Sequence, residues 1–321
     1  MKRLICRVAP LGALILLLTL VGCAGDPVGR DQSLASATDR LRTDVVALSD
    51  TIGNRSVGAY THLGQAADYI EGQFRAQGYS PARQTFTARG KPVSNLVARR
   101  PGRDPSRPGV LIGAHYDTYF APGAEDNASG VAAVLELARR FSTRTPPGPV
   151  RFVAFVNEED PWWGTDKMGS LVCARRARAA DEDLLVMLNL DMVGYYPGGR
   201  HYVRVGANVK SEGIGVEVRQ ALRQATSFAV RDMPRSDPAI RWSDHWAFWR
   251  EGYEALYIAG AGWDCDWNIH GPKDTAEKLN YANMAELVQG LDAAIMGLWD
   301  GATVRPASVD GLWPMVFGAA S

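Results

Sequence analysis

Apolar positions recur along this chain with two different periods. Between Tyr60 and Gly78, Leu63, Ala67, Ile70 and Phe74 fall at helical spacing, and Gly78 supplies a stop. Val93–Arg99 reads as a strand, and Val110–Ala114 is a short apolar run that leads into His115. Residues 128–141 return to the helical period. Val150–Val156 is a further strand ending at Asn157-Glu158-Glu159, and Leu184–Leu190 is another ending at Asp191. Tyr202–Val205 and Ala255–Ile258 complete the strands. Residues 211–227, 243–251 and 282–299 read as helices. Strands alternating with helices predict an α/β fold: a single domain whose mainly parallel, mixed central sheet carries helices on both faces. The Pro-rich stretches at 101–108 and 145–149 read as surface loops, and no repeat or composition shift marks a second domain.

The first residues follow a different pattern. Lys2, Arg3 and Arg7 precede an apolar run from Ala9 to Val21. The run is short for a membrane span, which needs about 20 apolar residues, but fits a secretory leader. Leu20-Val21-Gly22-Cys23 resembles a bacterial lipoprotein cleavage box, which implies a leader over 1–22 and a lipid on the Cys23 sulfur. An ordinary signal peptide cut nearby is the plainer alternative. Residues 23–38, rich in Ala, Gly, Asp and Ser, read as a tether. A folded domain over 39–303 and a tail over 304–321 follow. The expected location is the cell envelope, facing the periplasm or exterior, and Ala24 after Cys23 favours the outer membrane.

Composition narrows the function classes. With 46% hydrophobic and 22% charged residues, the chain has material for a core and is not a disordered polymer. Its 35 basic and 35 acidic residues give a formal charge of zero, which argues against a nucleic-acid partner. The leader takes three of the basic residues, leaving 32 against 35, a formal −3. Four cysteines cannot make a disulfide scaffold. Beyond Cys6 and Cys23, Cys173 and Cys265 remain. Export permits a bond between them, and two buried free thiols are the alternative.

Candidate chemistry lies where the predicted strands end. His115 and Asp117 follow one strand, Glu158 and Glu159 a second, and Asp191 a third. In open parallel sheets, ligands bind beyond the carboxyl ends of the strands, so these groups converge. Asp126 precedes a helix in a loop, and His270 follows the last strand. Two imidazoles with several carboxylates suit zinc. Each piece alone has a bland reading: Asp126 as a helix cap, the Glu pair as a solvated turn, Asp191 as a turn residue, His270 as a loop histidine. Their placement at successive strand ends is what joins them.

At this point the sequence resembles a co-catalytic zinc aminopeptidase of metallopeptidase family twenty-eight, the bacterial leucyl aminopeptidase type. The resemblance rests on Gly113-Ala114-His115-Tyr116-Asp117-Thr118, Glu125-Asp126-Asn127-Ala128-Ser129-Gly130, Asn157-Glu158-Glu159 and Asn189-Leu190-Asp191-Met192-Val193-Gly194. Ser243-Asp244-His245 and Ile269-His270-Gly271-Pro272-Lys273-Asp274-Thr275 complete it, over roughly residues 40–300. It implies two Zn²⁺ per chain, with His115 and Asp191 on one ion, Glu159 and His270 on the other, and Asp126 bridging. A cis peptide at Asp126-Asn127 is also implied. Asp117, two residues from His115, is placed to accept its other ring hydrogen. Glu158 is the implied general base, acting on a metal-activated water and then protonating the leaving amine. The substrates implied are peptides, cleaved after their N-terminal residue.

The match has departures. Where relatives carry an oxyanion-stabilising Tyr beside the last metal histidine, this chain has Ile269, with Trp263 and Trp267 in the same loop. Asp160-Pro161-Trp162-Trp163 replaces a commoner Gly-containing loop. These tryptophans either line an apolar substrate pocket or pack loops on the core. Asp244 and His245 read as structural hydrogen-bonding residues or substrate contacts, and His62 and His201 as local structural residues. A glutaminyl-peptide cyclase with a single zinc is the enzyme alternative. A carboxypeptidase and an inactive binding homologue are the others.

Overall fold

The computed structural model describes residues 27–301. The leader, Cys23 and the tail over 304–321 lie outside the described residues. Eight strands form one sheet, β1 (Ala82–Ala88), β2 (Lys91–Arg100), β3 (Gly109–His115), β4 (Val150–Phe155), β5 (Leu184–Leu190), β6 (Tyr202–Ala207), β7 (Ala229–Asp232) and β8 (Ala255–Ala259), in the order β1-β2-β4-β3-β5-β8-β6-β7. The four central strands β4, β3, β5 and β8 run parallel. β2 and β6 join them antiparallel on either side.

Pleating sorts the apolar runs onto two faces. Val110, Ile112, Ala114, Phe152, Ala154, Val186, Leu188, Leu256 and Ile258 belong to one core. On that face lie α1 (Pro27–Val46), α2 (Tyr60–Ala76), α3 (Gly130–Ser142), α5 (Glu212–Ala225) and α7 (Tyr281–Gly301). Leu111, Val153, Phe155 and Met187 point the other way, onto α4 (Gly169–Ala179) and α6 (His245–Arg250). A strand buried on both faces needs no polar alternation, which is why β3, β4 and β5 read as mostly apolar runs, broken only by Arg151 and Asn189.

Several elements differ from the sequence reading. The stretch taken as a tether to residue 38 is helical from Pro27, because Leu34, Ala37, Leu41 and Val45 place one stripe against the core. A polar composition hides that stripe. β1 and β7 were not predicted. Both lie at sheet edges, and their alternation is polar and largely exposed. Nor was α4, whose small buried residues Ala174 and Ala177 sit among Arg175, Arg176 and Arg178. Cys173 and Cys265 are free thiols; Cys173 is buried as the alternative to a disulfide had it, whereas Cys265 is only partly buried. No helix among the described residues is long and apolar enough to cross a membrane.

Candidate metal centre

The carboxyl ends of β4, β3 and β5 lie side by side, and each runs directly into acidic or imidazole side chains. His115 is the last residue of β3, and its Nε2 lies 3.2 Å from Asp126 Oδ1 and 3.7 Å from Asp191 Oδ1. His270, in the loop after β8, has its Nε2 3.0 Å from Asp126 Oδ2 and 3.3 Å from Glu159 Oε1. Asp126 thus turns one oxygen to each histidine. His115, Asp126 and Asp191 form one set with ligand atoms mutually within 4.8 Å, and Asp126, Glu159 and His270 form another. All the residues named as metal ligands from the sequence are therefore gathered in one place. Glu158 stands beside them, its Oε2 4.0 Å from His115 Nε2.

The backbone that delivers Asp126 is irregular. Asp126-Asn127 is a cis peptide. Gly123 has φ +65°, and a Cβ there would sit 2.5 Å from the Asp126 carbonyl oxygen, so the approach to the loop requires glycine. Asp274 accepts from Glu125 N at 2.8 Å and Asp126 N at 3.1 Å. Each such bond to an ionised acceptor contributes roughly 1.5–3 kcal/mol. Asn127 donates Nδ2 to Leu190 O, tying the loop to the end of β5. Ser243 donates to Asp191 Oδ2 at 2.5 Å and itself accepts from Asn189 Nδ2, which orients Asp191.

Asp117 has a different contact from the one its spacing suggested. His115 Nδ1 faces the Asp117 main-chain oxygen at 3.2 Å, and the carboxylate lies farther off, at 3.8 Å. The Asp117 carboxylate instead accepts the amides of Glu158 and Glu159, both at 3.1 Å. Adjacent ends of β3 and β4 put it against those N–H groups, so it positions the glutamate pair. His245 stacks on Tyr257 at 4.7 Å and meets Ile240 O at 2.6 Å, a structural role. Asp244 is fully buried, with the Ser170 hydroxyl acting on its carboxylate. Trp162 packs on the core beneath Arg89, and Trp163 packs on Trp246, while Trp267 is exposed.

Electrostatics mark the site as one built for cations. Burial pushes Glu159 up to about 7, with the Asp126 charge adding to it. Burial likewise holds Glu158 well above the usual carboxylate range. Hydrogen bonds to Asp126 and Glu159 raise His270 to about 11. Burial alone would lower His115, but the Glu158, Asp126 and Asp191 charges outweigh it and raise it. Without metal, protons on the two imidazoles offset part of this negative charge. Asp191 Oδ1 is buried with no hydrogen-bond partner. Buried carboxylate oxygens demand a partner, and a divalent cation held by these residues would supply it. His nitrogen with carboxylate oxygen is a donor set that zinc accepts.

Comparison with known proteins identifies relatives in sequence and in fold. Residues 95–294 match the family model described as peptidase family M28. The chain is 32% identical over 285 residues to the protein YfbL of Escherichia coli (strain K12), covering 80% of this chain and 87% of that one. The LapA aminopeptidase of Legionella pneumophila has a similar fold, with a TM-score of 0.70 at 20% identity over 86% of this chain and 75% of that one. So does Porphyromonas gingivalis glutaminyl cyclase, at a TM-score of 0.64 and 20% identity, over 80% of this chain and 97% of that one.

Proposed function

The chain belongs to peptidase family M28, and on that footing we propose that it is a zinc aminopeptidase working with two metal ions. His115 and Asp191 would hold one ion, Glu159 and His270 the other, and Asp126 would be shared by both. The observation that carries the pair is Asp126, with one oxygen 3.2 Å from His115 and the other 3.0 Å from His270. A single-zinc cyclase would leave one of those two sets without a purpose. Zinc held there would supply Lewis acidity for activating water and polarising the scissile carbonyl. Glu158, buried and basic for a carboxylate, accepts the water proton and returns it to the leaving amine. Asp117 keeps Glu158 and Glu159 in register by holding both amides.

The test is metal counting with turnover on aminoacyl chromogenic substrates and N-terminal Gln peptides. Two zincs per chain, hydrolysis abolished by a chelator and restored by zinc are expected. One zinc per chain with pyroglutamate as product would replace this reading with the cyclase. Half-exposed His270 opens its ion to solvent, whereas His115 is fully buried. The first zinc removed should therefore be the one at His270.

We further propose anchoring at the cell envelope through a lipidated Cys23, a reading supported by the leader pattern. Intact mass of the mature protein should show a chain beginning at Cys23 with acyl chains attached. A mature chain lacking Cys23 would refute it.

A further inference from the structure

Arg55 lies outside every catalytic motif, yet it is completely buried. Its guanidinium spreads over main-chain oxygens from separate segments. Nε donates to Tyr116 O at 2.8 Å, Nη2 to Gly123 O at 2.8 Å, and Nη1 to Pro122 O at 2.6 Å, Leu48 O at 2.8 Å and Gly53 O at 3.1 Å. Its own amide donates to Thr118 Oγ1. Among the described residues Arg55 forms no ion pair. A buried cation bonded to carbonyls alone is costly unless opposite charge lies near. The charges that act on it are Asp274, Asp117, Asp126 and Glu159. Burial lowers Arg55 to about 10, which still leaves it charged at neutral pH.

The carbonyls chosen have a meaning for the site. Tyr116 lies between His115 and Asp117. Pro122 and Gly123 immediately precede the loop that delivers Asp126. One planar group therefore ties the strand end carrying one histidine to the loop carrying the shared carboxylate. We propose that Arg55 is the positioning residue for the bridging carboxylate: by clamping these two segments it holds Asp126 where both metal sets can use it, before any metal arrives. The inference rests on the paired-metal reading above and adds a residue to it.

Arg55→Lys keeps the charge and loses the planar fork, since an ammonium offers three donors on a flexible stem. Cobalt titration of the metal-free full-length protein reads the two sites separately through visible absorption. In Arg55→Lys the second cobalt should bind about 10–100-fold more weakly, as expected when a residue supporting a ligand is lost, with a changed spectrum for the pair. The kcat should fall in step while KM stays within about threefold. An unchanged second-site affinity and spectrum beside a lowered Tm would make Arg55 a structural clamp only and overturn the proposal. If the wild type takes one cobalt, the paired reading fails. Hydrogen exchange then decides Arg55, as it does if Arg55→Lys does not fold. In chelated wild-type protein the amides of 116–128 should stay as protected as in the loaded enzyme. Free exchange there on chelation would show that metal, not Arg55, orders the loop.

Discussion

Replacing Glu158 with Gln is expected to remove nearly all turnover and leave the metal in place. Glu158 is buried, with its Oε2 4.0 Å from His115 Nε2 and its amide pinned by Asp117. It lies close enough to the cluster to exchange a proton there. General bases contribute about 10²–10⁴ in rate, so kcat should fall by roughly 10³, with KM within a few-fold because Gln keeps the shape. Zinc content should match the wild type, since the residues assigned as ligands are unaltered. Stability of the metal-free protein should rise slightly. Burial raises the Glu158 pKa, so its ionised form is costly in the folded state, and Gln removes that cost. Steady-state kinetics with metal analysis and thermal unfolding would check all three. A variant with kcat within about tenfold of wild type, below the range for a general base, would assign proton transfer elsewhere.

The parts of this site that sequence made legible are those that a parallel sheet places by rule. β3, β4 and β5 are mostly apolar, with Arg151 and Asn189 the polar interruptions, so His115, Glu158 and Asp191 at their carboxyl ends stand out. The rule that ligands gather beyond carboxyl ends does the rest. What was not legible is the layer that holds these side chains. Asp274 reaches the Asp126 loop across 148 residues, and Arg55 reaches Gly123 across 68. Both bond to backbone, and backbone carries no residue-type signal. Ser243 stands beside Asp244 in a recognisable motif, yet only the fold shows that its partner is Asp191. Asp117 is the instructive case. Spacing along β3 pointed it at its neighbour His115, whereas the adjacent strand end offered two amides and won. The first helix shows the same limit in the fold: Leu34, Ala37, Leu41 and Val45 are too few apolar residues among polar ones to announce a buried stripe.

Asp126→Asn should have the other large effect, because one residue serves both metal sets. An amide keeps the size but loses the charge and one of the two acceptor oxygens. One of the two contacts, at 3.0 Å to His270 or at 3.2 Å to His115, is then lost to an NH₂ group, and the other keeps only a neutral oxygen. Zinc should fall below one per chain after dialysis, and turnover should drop below detection. The comparison that gives this meaning is His270→Asn, which removes a ligand from one set only. That variant should retain the zinc held by His115 and Asp191, both of which are buried. Thermal unfolding with and without zinc separates the two. A ligand at about 1,000 times its Kd stabilises the fold by roughly 4 kcal/mol, and in a large single domain each kcal/mol moves Tm by about 2–4 °C. The wild type should therefore gain on the order of 8–16 °C from zinc. His270→Asn should keep part of that gain, and Asp126→Asn almost none. If Asp126→Asn held two zincs and kept the full gain, the carboxylate would not bridge, and the two sets would have to be independent sites.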